Sequence, residues 1–175
     1  DRSVSRGLGD VYKRQDMQQP LMEGMMSCGD WAGMVLDQNP ALQQFILIGP
    51  AEDDIRQIRT EYPDKLITFS AEEIRKGEGV ERLKQIHGGV PLYISIDKDV
   101  LSEQYSETNW NQGELTLGML EHMLQYFLER APVYGIDICG ECSTAIALPE
   151  YFQAEGVNGK TNVELFRFLR SYCCS

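Results

Sequence analysis

Four short apolar runs constrain this chain most. "FILIG" (45–49), "KLITFS" (65–70), "VPLYISI" (90–96) and "VYGIDI" (133–138) are too short for helices and rich in β-favouring residues. Their apolar residues are consecutive rather than alternating, as in strands buried on both faces. Helical segments separate them. "AEDDIRQIRT" (51–60) has acids first and bases later, as a helix dipole prefers. Ser70 caps "AEEIRKGEGVERLKQI" (71–86), with Glu73 at the capping-box position and Gly77 and Gly79 weakening its middle. "LTLGMLEHMLQYFLER" (115–130) places Leu117, Leu120, Leu124, Phe127 and Leu128 at helical spacing. A last helix, about 160–172, is expected to bury Val163, Phe166 and Leu169, with Leu165 beside them. Strands alternating with helices predict an α/β domain with a mainly parallel sheet in a three-layer α/β/α arrangement.

The 175 residues suffice for one domain. Lys and Arg number 16 against 27 Asp and Glu, a net charge of −11, the reverse of a nucleic-acid binder's balance. No window of 18 apolar residues offers a membrane span, and no secretory signal is visible. The odd set of five cysteines reads as reduced thiols in a cytoplasmic protein. Residues 1–15, "DRSVSRGLGDVYKRQ", hold four of the bases and lack any period. They resemble the translated read-through of a sequencing adapter and read as a non-native tail, leaving residues 16–175 as the domain. That domain carries 12 bases against 25 acids.

The third apolar run ends in Asp97 and Asp99. Ligands of parallel α/β sheets gather beyond the carboxyl ends of the strands. Residues two apart on an extended segment point the same way, so both carboxylates can converge on one site. Uncompensated, they repel and lose hydration; a divalent cation removes both costs, and carboxylate oxygens suit magnesium or manganese. The plainer role for the pair is a helix cap beside a solvated acid.

Asp-x-Asp after an apolar strand occurs in several families. The haloacid-dehalogenase type wants the pair on its first strand, and the manganese glycosyltransferases need an upstream nucleotide pocket that this sequence does not display. "SIDKD", Ser95 to Asp99, resembles instead the last metal motif of the arginase (ureohydrolase) family, Ser-x-Asp-x-Asp. "VYGIDICGE" is similar to that family's later strand. "DMQQPLMEGMMSCGDWAG" is similar to the segment after its Asp-x-His-x-Asp motif in an uncharacterised bacterial branch, with Asp16 as the last acid. "TNWNQG", with Trp110 and Gly113, fits the same branch.

The resemblance implies an arginase-like domain incomplete on its N-terminal side. It implies a two-manganese site in which Asp97 bridges both ions while Asp99 and Asp16 complete one site each. It implies hydrolysis of a C–N bond in a guanidino-type or related small molecule. Glu141 is the candidate substrate acid and Trp110 a candidate pocket wall. A homo-oligomer is compatible with this reading, and neither nucleic acid nor membrane is an expected partner. A non-catalytic domain of the same fold with a vestigial acidic patch stands beside it, as does the glycosyltransferase.

The sequence departs from the family pattern in three ways. The family's ligating histidines are missing, since the chain's two histidines, His87 and His122, fall at a strand's amino end and on a polar helix face. "SCGDWAG" lacks the histidine that arginases proper carry there. Gly140 occupies the family's glutamate position, with Glu141 one residue later. The fragment by itself is therefore expected to be inactive. Cys139-x-x-Cys142 precedes a poor helix start and lacks the second pair a zinc site needs. Met17, Met22, Met25, Met26 and Met34 are expected to line a core or an interface, and Trp31 to pack in the core.

Overall fold

The computed structural model describes residues 17, 30–110 and 112–173. The elements run α1 (Trp31–Gln38), β1 (Phe45–Ile48), α2 (Glu52–Ile55), β2 (Leu66–Phe69), α3 (Ala71–Lys76), β3 (Leu92–Asp97), α4 (Leu117–Leu128), β4 (Val133–Cys139) and α5 (Leu148–Cys173). β1 and β2 pair in parallel, from Phe45 opposite Leu66 to Ile48 opposite Phe69. β3 and β4 also pair in parallel, from Tyr93 opposite Gly135 to Asp97 opposite Cys139. The four expected strands are present and the chain is of the α/β class. Among the described residues they form two two-stranded sheets rather than one.

The larger core lies under β3 and β4. Ile94, Ile96 and Ile136 pack on Leu117, Leu120 and Leu124 of α4 and on Leu165 and Leu169 of α5. The opposite side of this pair is open: Tyr93 and Tyr134 are 67% and 87% exposed. The expectation of strands buried on both faces therefore fails here, because apolar content does not tell a covered face from an uncovered one. A smaller core joins Met17, Ala32 and Leu36 to Phe45 and Leu47. Met17 thus lies in a core as expected, while Met22, Met25 and Met26 lie outside the described residues.

α4 matches its expected span, capped by Thr116, whose side chain accepts from the Met119 amide. The Ser70–Glu73 capping box is present in full. The helix it starts is shorter than expected. Gly77 adopts a left-handed conformation (φ 70°) and ends α3, and residues 80–85 form a separate 3-10 helix. α2 is one turn rather than ten residues.

α5 departs most from expectation, beginning at Leu148 rather than near residue 160. Pro149 stands in its first turn, where a missing N–H is harmless. Its buried face is Ala154, Asn158, Thr161, Leu165 and Leu169, whereas Val163 and Phe166 are 48% and 64% exposed. A face that includes buried Asn158 and Thr161 does not register as an apolar stripe. Among the described residues, no helix is long and apolar enough to cross a membrane.

Candidate functional site

β3 delivers Asp97 to its carboxyl end, where the chain turns through a 3-10 helix, Lys98–Val100. Asp97 caps that turn: its Oδ1 accepts from the Asp99 amide at 3.0 Å. The cap and the carboxylate pair are thus one structure. Asp97 and Asp99 both line a cavity of about 730 Å³, together with Trp110 and Gln112. Ser95, on the same side of β3 as Asp97, donates from Oγ to Asp137 Oδ1 across the ladder at 2.9 Å.

Two glycines let other loops close on this turn. Gly140, just past β4, has φ 84°, and a Cβ there would lie 2.6 Å from Asp97 Oδ1 and 2.8 Å from the Lys98 amide. A side chain at this position would crowd the turn, and the acid of this loop, Glu141, stands one residue later. Gly113 donates its N–H to the Asp99 carbonyl at 2.6 Å, so near the chain that a Cβ would collide with the Val100 backbone.

Lys98, between the two aspartates, points the opposite way and is fully buried. Its ammonium donates to Glu141 Oε1 at 2.5 Å and to Asn162 Oδ1 of α5 at 2.9 Å. Asn162 Nδ2 donates to the same Glu141 oxygen at 3.0 Å. Partial burial pushes the Glu141 carboxyl up. The Lys98 and Asn162 donors outweigh this and hold it below the ordinary carboxylate range. The network ties β3, β4 and α5 together directly behind the aspartates. Sequence reasoning passed over Lys98. The signal was its place between two residues facing one way, which turns its own stem toward the packed side.

The loop that carries Trp110 is also pinned to α5. Asn158 accepts from the Glu107 amide at 2.9 Å and donates to the Glu107 carbonyl at 2.8 Å. Thr161 donates to the Tyr105 carbonyl. Gln112 Nε2 donates to the Leu101 carbonyl at 3.0 Å and its Oε1 accepts from Thr108. The buried polar face of α5 thus holds the loop in place.

The structure therefore brings Asp97, Asp99 and Trp110 to one cavity. Glu141 is outside its lining, engaged by Lys98. Asp16, Ser27, Cys28 and Gly29 lie outside the described residues. Trp31 is half-buried on α1 and lines the same cavity. His87 and His122 are exposed; the His87 amide donates to Gln44 Oε1 at the amino end of β1. Cys139 and Cys142 form no disulfide. As hard oxygen donors at a strand end, Asp97 and Asp99 suit manganese or magnesium in kind. Among the described residues, no group of three or more His, Cys, Asp or Glu is gathered closely enough to hold a metal ion.

No family model matches the chain, and no solved structure matches it. An uncharacterised protein of Thermotoga maritima is 38% identical over 61 residues, 35% of this chain. The matched part spans about a quarter of that relative's length.

Proposed function

We propose that this chain is the carboxyl-terminal part of a manganese-dependent hydrolase that cleaves a C–N bond in a guanidino-type or related small molecule. Its parent is then an arginase-like, three-layer α/β/α domain working in the cytoplasm. The observation that carries this reading is Asp97 and Asp99 at the carboxyl end of β3, lining one cavity with Trp110. The Ser95–Asp137 bond beside them supports it by fixing the first residue of the Ser-x-Asp-x-Asp motif. In the intact site Asp97, Asp99 and Asp16 are the carboxylate ligands. A manganese ion held there would supply an activated water at neutral pH. Lys98 and Glu141 hold the turn that presents the ligands, and Trp110 walls the substrate's side of the pocket.

Calorimetric titration of manganese into the full-length parent tests the reading. Binding is expected in the wild type and loss of at least one site in Asp97→Asn. No binding by the wild type, or identical binding by the variant, rejects it. A second reading, a non-catalytic domain with a vestigial acidic patch, is favoured by the absence of a third ligating side chain near the pair among the described residues. The natural coding sequence upstream of Asp16 separates the two. Intact histidine motifs there support the enzyme, and their absence supports the patch.

A further inference from the structure

We infer that α5 is the interface of a two-fold dimer, packed antiparallel on α5 of a second copy of this chain. Such a dimer is independent of any metal at Asp97 and Asp99. α5 carries two stripes. The inner one, Ala154, Asn158, Thr161, Leu165 and Leu169, is buried against the chain's own body. The outer one runs Phe152, Gly156, Gly159, Val163, Phe166 and Arg170, in steps that alternate between four and three residues. That spacing keeps one seam along a helix and matches the a and d positions of paired helices. Phe152 is 67% exposed, and Val163 and Phe166 are exposed with it. A helix with only one face to bury carries polar residues on the other.

Between the large residues of the outer stripe lies a groove of about 420 Å³ over Gly156 and Gly159, rimmed by Glu155, Lys160, Glu164 and Arg167. Two glycines inside a helix weaken it, so they call for a reason. Packing within the chain does not supply one. A Cβ at either position would meet nothing within 4 Å. What glycine provides here is room above the helix for something to enter.

The outer stripe is its own complement, which identifies the occupant. In an antiparallel pair with the two-fold axis at the level of Thr161, residues equally far above and below that level face each other. Phe166 then meets the partner's Gly156, and Val163 meets the partner's Gly159, so each bulky side chain enters the groove over a glycine. Glu155 meets the partner's Arg167, a side chain that takes part in no ion pair among the described residues. Phe152 meets the partner's Arg170, whose guanidinium stacks on the ring. Symmetry makes each of these contacts twice. One register satisfies shape and charge together, and an unrelated partner would not require the stripe to mirror itself. The seam from Phe152 to Arg170 is roughly 27 Å long, a small interface that calls for micromolar association.

Sedimentation equilibrium of the 175-residue chain, from about 1 to 200 µM and without metal, tests this. A reversible monomer–dimer equilibrium is expected. Gly156→Leu puts a better helix former on an open surface, so the fold is kept while the groove is filled. It is expected to weaken the dimer by about tenfold or more without lowering the helix content. Glu155→Arg and Arg167→Glu are each expected to weaken it by about tenfold, and the double variant to return to within about threefold of the wild type. A chain that stays monomeric throughout overturns the proposal. So does a dimer indifferent to Gly156→Leu, which assigns association to another surface such as the open strand edges. A double charge reversal no tighter than the single ones overturns the antiparallel register.

Discussion

Residues 92–173 set β3 and β4 against helices of 12 and 26 residues, with Leu101, Leu115 and Leu165 fully buried between them. Residues 31–70 set β1 and β2 against helices of 8 and 4 residues, around a core of Met17, Ala32 and Leu36. The carboxyl-terminal region holds the acid pair and ties it down from three directions, through Lys98, Gly113 and Gly140. The amino-terminal region ends in a strand edge facing a cavity. A preorganised turn thus sits beside a cavity, and the acid pair lines it.

The largest predicted effects test the two cores against each other. Leu165→Ala is expected to cost about 3–5 kcal/mol and Leu36→Ala about 2 kcal/mol, because the smaller core borders a cavity and can collapse. Urea unfolding measures both, and a Leu36→Ala cost equal to or above that of Leu165→Ala breaks the comparison.

Gly140→Ala comes next. It forces a Cβ onto Asp97 Oδ1 at a left-handed φ and is expected to cost about 1–3 kcal/mol. Lys98→Met keeps most of the buried stem but removes the ammonium from Glu141 and Asn162, at about 1–3 kcal/mol. If either variant matches the wild type in thermal unfolding, the turn is not held as described. Ser70→Ala removes the capping box in the other region at about 1 kcal/mol.

The smallest effects are pH-dependent and carry opposite signs. The Arg82 hydrogen bond lowers the pKa of Glu73 against the opposing effect of burial, and Lys98 with Asn162 outweighs burial at Glu141. Each contributes stability above the ordinary value of 4.5 that is lost as pH falls through its lowered folded value. At Glu121, burial and then repulsion from Glu164 raise the pKa, so its charged form destabilises at neutral pH. Glu121→Gln is therefore expected to stabilise at pH 7 by a fraction of a kcal/mol, with the gain shrinking as pH falls through the raised value. A gain that grows on acidification contradicts the sign.

The four strands and α4 were legible because consecutive apolar residues and a 3.6-residue stripe report burial directly. α5 was half-legible: Asn158 and Thr161, buried to hold the Trp110 loop, interrupt its stripe, and Gly156 and Gly159 dilute it. α3 was over-read because Gly77 serves as a left-handed cap and not as a weak interior residue. At the site, Asp97, Asp99 and Trp110 could be picked out because a strand end and a two-residue spacing fix where side chains go. The engagement of Glu141 by Lys98 was not legible, since it joins residues 43 apart through packing against α5. The open side of β3–β4, with exposed Tyr93 and Tyr134, was hidden because aromatic strand residues read as buried.

The central proposal is that Asp97 and Asp99 are carboxylate ligands of a manganese site. Manganese electron paramagnetic resonance of the full-length parent, beside its Asp99→Asn variant, tests it most directly. The account predicts that the wild type depletes the free-ion signal by two ions per chain while the variant depletes it by fewer. Equal depletion by both proteins, or none by either, would contradict it.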